Sequence, residues 1–219
     1  MTNETMTQQP RPGVIENGAL IRARDLKKTY VQGELEVPAL RGVDLDVQEG
    51  EFTALAGPSG SGKTTLLNII GALDTPTQGL IEVGGTDVTG LGKGDAADFR
   101  LDMVGFIFQA YNLVPVLTAY ENAEFTLLLR GVPVEDRRAR VEPLLERVGL
   151  GDMMDRKPHE LSGGQQQRVA VVRALATRPR LVLADEPTAN LDSETSGSLL
   201  DLMLELNDEL ETTFVFSTH

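Results

Sequence analysis

The run Gly57-Pro58-Ser59-Gly60-Ser61-Gly62-Lys63-Thr64 has the residue types and spacing of a phosphate cradle, G-x-x-x-x-G-K-[ST]. In such a loop backbone N–H groups surround phosphate oxygens, the lysine reaches the terminal phosphates, and the threonine hydroxyl ligates Mg²⁺. Residues 52–55 form a short apolar strand candidate leading in, and residues 64–70, with Thr65 in the first turn, form a buried helix candidate leading out. A second glycine-rich loop, Leu161-Ser162-Gly163-Gly164-Gln165, opens what reads as a long helix through Ala176. Ser162 falls at its N-cap, where the glycines let N–H groups converge on an anion at the positive end of the helix dipole. Alone, Ser-Gly-Gly is also a common helix-entry turn. Its neighbours add weight, because the apolar run 181–184 reads as a buried parallel strand that ends in Asp185-Glu186. Asp185 is placed to hold Mg²⁺ beside the phosphate loop, and Glu186 is the candidate general base for a water attacking a γ-phosphate.

Taken together, these motifs closely resemble the ATP-binding subunits of ABC transporters over residues 20–219. The Walker A loop (57–64), the signature loop (161–165) and the Walker B strand ending in Asp185-Glu186 carry the resemblance. Gln109 in Gly105-Phe106-Ile107-Phe108-Gln109, the D-loop Ala189-Asn190-Leu191-Asp192 and the H-loop Ser217-Thr218-His219 extend it. The resemblance implies an α/β P-loop NTPase of ABC ATPase type. Its core would be a mainly parallel sheet, joined by an antiparallel β subdomain and a helical signature subdomain at about 94–176. ATP and Mg²⁺ are then the implied cofactors. Tyr30, closing an alternating segment over residues 20–30, would stack on adenine; the alternative is a strand-end tyrosine with its hydroxyl in water. Gln109, at the end of another apolar strand, would contact Mg²⁺ and water and relay to a membrane partner, and His219 would contact the γ-phosphate and help position the water.

The family further implies a head-to-tail dimer, in which each ATP lies between one subunit's Walker A loop and its partner's Ser162, Gly163, Gly164 and Gln165. Such a two-fold interface builds two equivalent sites. Runs such as residues 65–77 and 108–115 resemble the lipoprotein-release, macrolide-export and cell-division branch, in which the ATPase drives integral membrane permease subunits. Family members usually continue through another strand and helix beyond His219, so the resemblance implies a longer native chain and a frayed end at that histidine.

The elements that must position these motifs are less explicit. Residues 94–103 and 118–129 read as short helices and 134–148 as a longer one. In the last, Val141, Leu144, Leu145 and Val148 recur at i, i+3, i+4 and i+7, with a charged opposite face that reads as solvated. His159, in Lys157-Pro158-His159-Glu160, reads as structural. Residues 1–18 are polar and aperiodic and read as a mobile tail, with the ATPase domain spanning 19–219. The hydrophobic fraction of 41% suffices for a sizeable core. No apolar stretch approaches bilayer-spanning length and no secretory pattern opens the chain, so a cytoplasmic subunit docked through a permease is expected. A net charge of −13 argues against nonspecific binding to nucleic acid or an anionic leaflet. Zero cysteines exclude disulfides and thiolate metal sites. DNA-repair or translation ABC ATPases would carry a coiled-coil insertion or tandem cassettes. A kinase or GTPase would leave the second loop unexplained, and a regulatory nucleotide-binding module would not need Glu186.

Overall fold

Two long strands, β1 (Ala19–Gln32) and β2 (Leu35–Gln48), pair antiparallel. Strand β3 (Phe52–Ala56) leads through the phosphate loop into helix α1 (Lys63–Ile70), and β4 (Gln78–Val83) with the short β5 (Thr86–Asp87) returns beside β1. Helix α2 (Lys93–Met103) runs into β6 (Val104–Ile107). Three helices follow: α3 (Ala119–Leu129), α4 (Val134–Arg147) and α5 (Gly163–Leu175). Strand β7 (Leu181–Ala184), helix α6 (Ser193–Leu210) and β8 (Thr213–Thr218) complete this computed structural model, which describes residues 19–33 and 35–218. The expected tail at 1–18 and His219 lie outside the described residues.

The strands form an antiparallel sheet ordered β2-β1-β4-β5 and a parallel sheet ordered β3-β8-β7-β6. Parallel strands are covered on both faces, which is why β7 reads as an unbroken apolar run and is buried throughout. Its side chains alternate between two cores. Leu181 and Leu183, with Val215 of β8, pack toward α1 and the antiparallel sheet against Ile69, Ile70 and Ile81. Val182 and Ala184, with Phe214 and Phe216, pack on the opposite face against Leu175 and Met203 of α5 and α6. Because the strands of this sheet are parallel, their C-terminal ends share one edge, the usual place for a ligand in an open α/β sheet.

Three expectations need correction. The alternation over 20–30 is broken by a bulge, since Asp25 has φ +44° and the register with β2 and β4 shifts between Ala23 and Lys27. On α4, Val141, Leu145 and Val148 are buried as expected, yet the charged face is more than a solvated surface. Arg137 Nε donates to Glu124 Oε2 of α3 at 2.7 Å, with both side chains under one-sixth exposed (14% and 11%). Arg147 reaches Glu205 and Glu209 of α6 at 2.9 and 2.5 Å, and its guanidinium holds the Glu209 carboxyl below the usual range. His159, read as structural, lies exposed on a short 3₁₀ turn, and it is Pro158 beside it that is buried.

Candidate phosphate-binding and hydrolysis site

Gly62 is the N-cap of α1, with φ +97°, and a Cβ there would sit 2.6 Å from Ala39 O and 2.8 Å from the Leu40 side chain. Only glycine meets both demands. No side chain caps this helix, so its first N–H groups face the loop Gly57-Pro58-Ser59-Gly60-Ser61, where an anion is favoured. Lys63 Nζ folds back over the loop and donates to Gly57 O at 2.6 Å and to Pro58 O at 3.2 Å. Thr65 lies in the first turn, one residue beyond Thr64.

Strand β7 delivers the carboxylates to the same edge. Thr64 Oγ1 donates to Asp185 Oδ1 at 3.0 Å, and Ser217 Oγ of β8 donates to the same oxygen at 2.8 Å. A threonine hydroxyl beside a carboxylate at a phosphate loop is a hard-oxygen donor set, which fits Mg²⁺. Ser217 Oγ also accepts from Glu186 N at 2.8 Å. Glu186 itself adopts φ +46°. That left-handed conformation costs a non-glycine residue about 1–3 kcal/mol and concentrates at functional sites. Fully buried Ser217 thus fixes both Asp185 and Glu186. In the sequence Ser217 stands out only as part of the 217–219 motif, and the local signal is a hydroxyl directly after the apolar run 214–216.

Gln109 is not at a strand end. Strand β6 stops at Ile107, whose carbonyl accepts from Asp185 N at 2.9 Å, and a turn closed by Tyr111 N to Phe108 O at 3.1 Å carries Gln109 past the sheet. Its backbone carbonyl accepts from Asn190 Nδ2 at 2.8 Å, which ties this turn to the 189–192 loop.

At the second loop, Ser162 caps α5 as read. Its Oγ accepts from Gln165 N at 3.3 Å, while Gln165 Oε1 accepts from Ser162 N at 2.9 Å, a reciprocal capping box. The side chain of Gln165 is therefore engaged in the cap. The glycines have a packing role besides any anion contact: a Cβ on Gly163 would meet Tyr111 Oη at 2.9 Å, and one on Gly164 would meet Thr195 Cγ2 at 2.7 Å. Among the described residues, a cavity of about 490 Å³ beside the phosphate loop is lined by residues such as Leu40, Leu55, Ser61 and Lys63, by none from 161–165, and by none of Thr64, Asp185 and Glu186. Tyr30 is 39% exposed, and its hydroxyl is bonded to Asp74 Oδ2 at 2.8 Å rather than left to water.

The model for the family described as ABC transporter matches residues 40–189, which contain both loops and both carboxylates. The chain belongs to the ABC transporter family. It is an ATP-binding, ATP-hydrolysing cassette of that family, with the α/β P-loop architecture expected. The cassette is 51% identical over 186 residues to YtrE, an ABC transporter ATP-binding protein of Bacillus subtilis, covering 85% of this chain and 80% of that one. It is 46% identical over 200 residues to the lipoprotein-releasing system ATP-binding protein LolD of Alcanivorax borkumensis, covering 91% and 88%. It is 49% identical over 202 residues to the macrolide export ATP-binding/permease protein MacB of Syntrophobacter fumaroxidans, covering 91% of this chain but 28% of MacB. Among solved structures, the dimeric post-hydrolysis state of the cassette MJ0796, bound to ADP and Pi, superposes with a TM-score of 0.83 at 43% identity, covering 91% of this chain and 88% of that one. The relatives named LolD and MacB agree with the branch that the motifs suggest.

Proposed function

We propose that two copies of this cassette close head-to-tail around two Mg-ATP, and that hydrolysis reopens them to drive a separate membrane permease. The separation of the two anion-binding loops carries this reading. Each loop is fully formed, yet among the described residues no hydrogen bond joins 57–64 to 161–165, and the second loop lines no part of the cavity beside the first. A second chain supplies the missing half, and the dimeric state of MJ0796 supports that arrangement.

In each composite site the N–H groups of residues 57–62 and Lys63 hold the phosphates, with Thr65 beside them, and Tyr30 offers its ring to adenine. Thr64, Gln109 and Asp185 would hold Mg²⁺. When bound, this ion neutralises charge on the phosphate oxygens. Glu186 orients a water and takes its proton as the water oxygen bonds to the γ-phosphorus; the bond to the β–γ bridging oxygen breaks and ADP leaves. Ser162, Gly163, Gly164 and Gln165 of the partner close the site over the γ-phosphate, and His219 is assigned to position the water. Positioning and fixed electrostatics supply most of the acceleration in such a transfer.

No helix among the described residues is long and apolar enough to cross a membrane, so transport requires another polypeptide segment. MacB, of which this cassette matches little more than a quarter, carries ATP-binding and permease parts in one chain. On this cassette, a groove of about 400 Å³ between α2, β6, α3 and α5 suits an apolar helix of such a permease. Leu101, Phe106, Phe108, Phe125 and Leu129 line it, and Leu129 is 64% exposed. The cassette would then act at the cytoplasmic face of the membrane. In Leu129→Glu, reconstituted with its permease, basal phosphate release from Mg-ATP should match the parent while stimulation by the permease disappears. Full stimulation in that variant would remove the groove from the coupling path.

A further inference from the structure

The run Leu73-Asp74-Thr75-Pro76-Thr77 follows α1, and the assignment of the phosphate and metal contacts gives it no task. Its centre is Asp74. One carboxylate oxygen accepts from Tyr30 Oη at 2.8 Å, and the other accepts from Lys28 Nζ at 2.6 Å and from Thr75 N at 2.7 Å. Lys28 Nζ also donates to Thr75 O at 2.7 Å and sits 4.9 Å from the centroid of the Tyr30 ring. Lys28 is 12% exposed, so its ammonium occupies one side of the ring from a largely buried position. A cation over an aromatic face is attractive and holds the ring from behind.

The run is itself fastened at both ends. Asn68 O, in the last turns of α1, accepts from Leu73 N at 2.8 Å and from Asp74 N at 3.2 Å. Thr77 N donates to Lys27 O at 2.8 Å, and Thr77 Oγ1 accepts from Thr29 N at 3.0 Å. Asp74 therefore stands on a short connector between the phosphate-binding helix and the end of β1. Burial pushes its carboxyl up, but the hydrogen bonds from Lys28, Tyr30 and Thr75 outweigh this and leave it below the usual carboxylate range, so it is charged at neutral pH.

We propose that Asp74 is a positioning residue for nucleotide base recognition: with Lys28 it pins the Tyr30 ring at both its hydroxyl and one face, presenting the other face as a fixed platform for adenine. This rests on the reading of Tyr30 as the adenine-stacking residue. A free tyrosine side chain on β1 must be ordered each time a base binds, at the expense of affinity, whereas a pinned ring has already lost that freedom. The connector also references the platform to α1, so the spacing between base and phosphate sites is set by one short helix. Asp74 touches neither phosphate nor the attacking water. It acts on binding of the base and not on chemistry.

Steady-state kinetics with Mg-ATP, together with inhibition by Mg-tripolyphosphate, which has phosphates but no base, tests the pin. Asp74→Ala and Tyr30→Phe should each raise KM for ATP about three- to tenfold, with kcat and the tripolyphosphate inhibition constant unchanged. Tyr30→Ala should raise KM at least as much. A parallel loss of tripolyphosphate affinity in Asp74→Ala would assign Asp74 to support of the phosphate loop and overturn the pin. If Tyr30→Ala raises KM while Asp74→Ala and Tyr30→Phe do not, the platform stands and the pin falls. If Tyr30→Ala leaves KM unaltered, the platform fails and the pin falls with it. Tyr30→Phe removes one hydroxyl from a half-exposed ring, so it keeps the test decisive should Asp74→Ala fold poorly.

Discussion

Glu186→Gln should cut phosphate release by a factor of about 10² to 10⁴, the range expected when a general base is lost, while Mg-ATP still binds. The substitution preserves side-chain volume, and it leaves untouched the backbone bond from Glu186 N to Ser217 Oγ that holds residue 186 in its left-handed conformation. Asp185 keeps both partners, Thr64 and Ser217, so the oxygens proposed to hold Mg²⁺ remain where they are. What disappears is the carboxylate proposed to take the proton from water. An ATP-loaded pair should then accumulate, visible as a shift from monomer to dimer on a sizing column when Mg-ATP is added. Turnover near the parent rate in Glu186→Gln would transfer the role of base to another group.

Lys63→Ala should act earlier, on binding. Lys63 Nζ bonds Gly57 O and Pro58 O, so it braces the loop from within and brings a positive charge to its mouth. Removing it leaves two loop carbonyls without that donor and the phosphates without the cation proposed to hold them. At about 1.5–3 kcal/mol for a hydrogen bond to a charged group, ATP affinity should fall roughly ten- to a hundredfold, and phosphate release should become undetectable. Lys63→Arg should not restore it, because the planar guanidinium cannot occupy the compact position of an ammonium folded over its own loop. Titration with a fluorescent ATP analogue measures the loss; parent-like affinity in Lys63→Ala would contradict the cradle.

The parts of this site that were legible in the sequence are those written in consecutive residues. Gly57 to Thr64 declares a phosphate loop because glycine, lysine and threonine must sit at fixed spacing on one turn, and the apolar run 181–184 declares a strand buried on both faces. Helix α4 was legible through its 3.6-residue period. Contacts between distant segments were not. The bulge at Asp25 comes from pairing β1 with two neighbours whose registers differ, which no local period records. Strand β2 is not legible in the sequence because most of its residues are exposed on the outer strand of its sheet, so little apolar alternation marks it. The apolar pattern runs on through Phe108 and so puts Gln109 at a strand end, whereas the ladder to β7 stops at Ile107. The packing of Tyr111 on Gly163 and the bond from Asn190 to Gln109 join loops more than fifty residues apart, and only the folded chain brings them together.

Gly57 to Thr64 and Leu161 to Gln165 of one chain should serve two different ATP molecules. The natural absence of cysteine makes it directly testable, since an introduced thiol is unique in the chain. Ser61 and Ser162 are both exposed, one in each loop. Ser61→Cys and Ser162→Cys chains, each also carrying Glu186→Gln, are mixed and oxidised with and without Mg-ATP, then separated on a non-reducing gel beside a chain bearing both cysteines. An ATP-dependent disulfide between the two single-cysteine chains, at twice the mass of one chain, is expected. A disulfide formed only within the double-cysteine chain, with none between mixed chains, would show both loops gripping the same nucleotide and would contradict it.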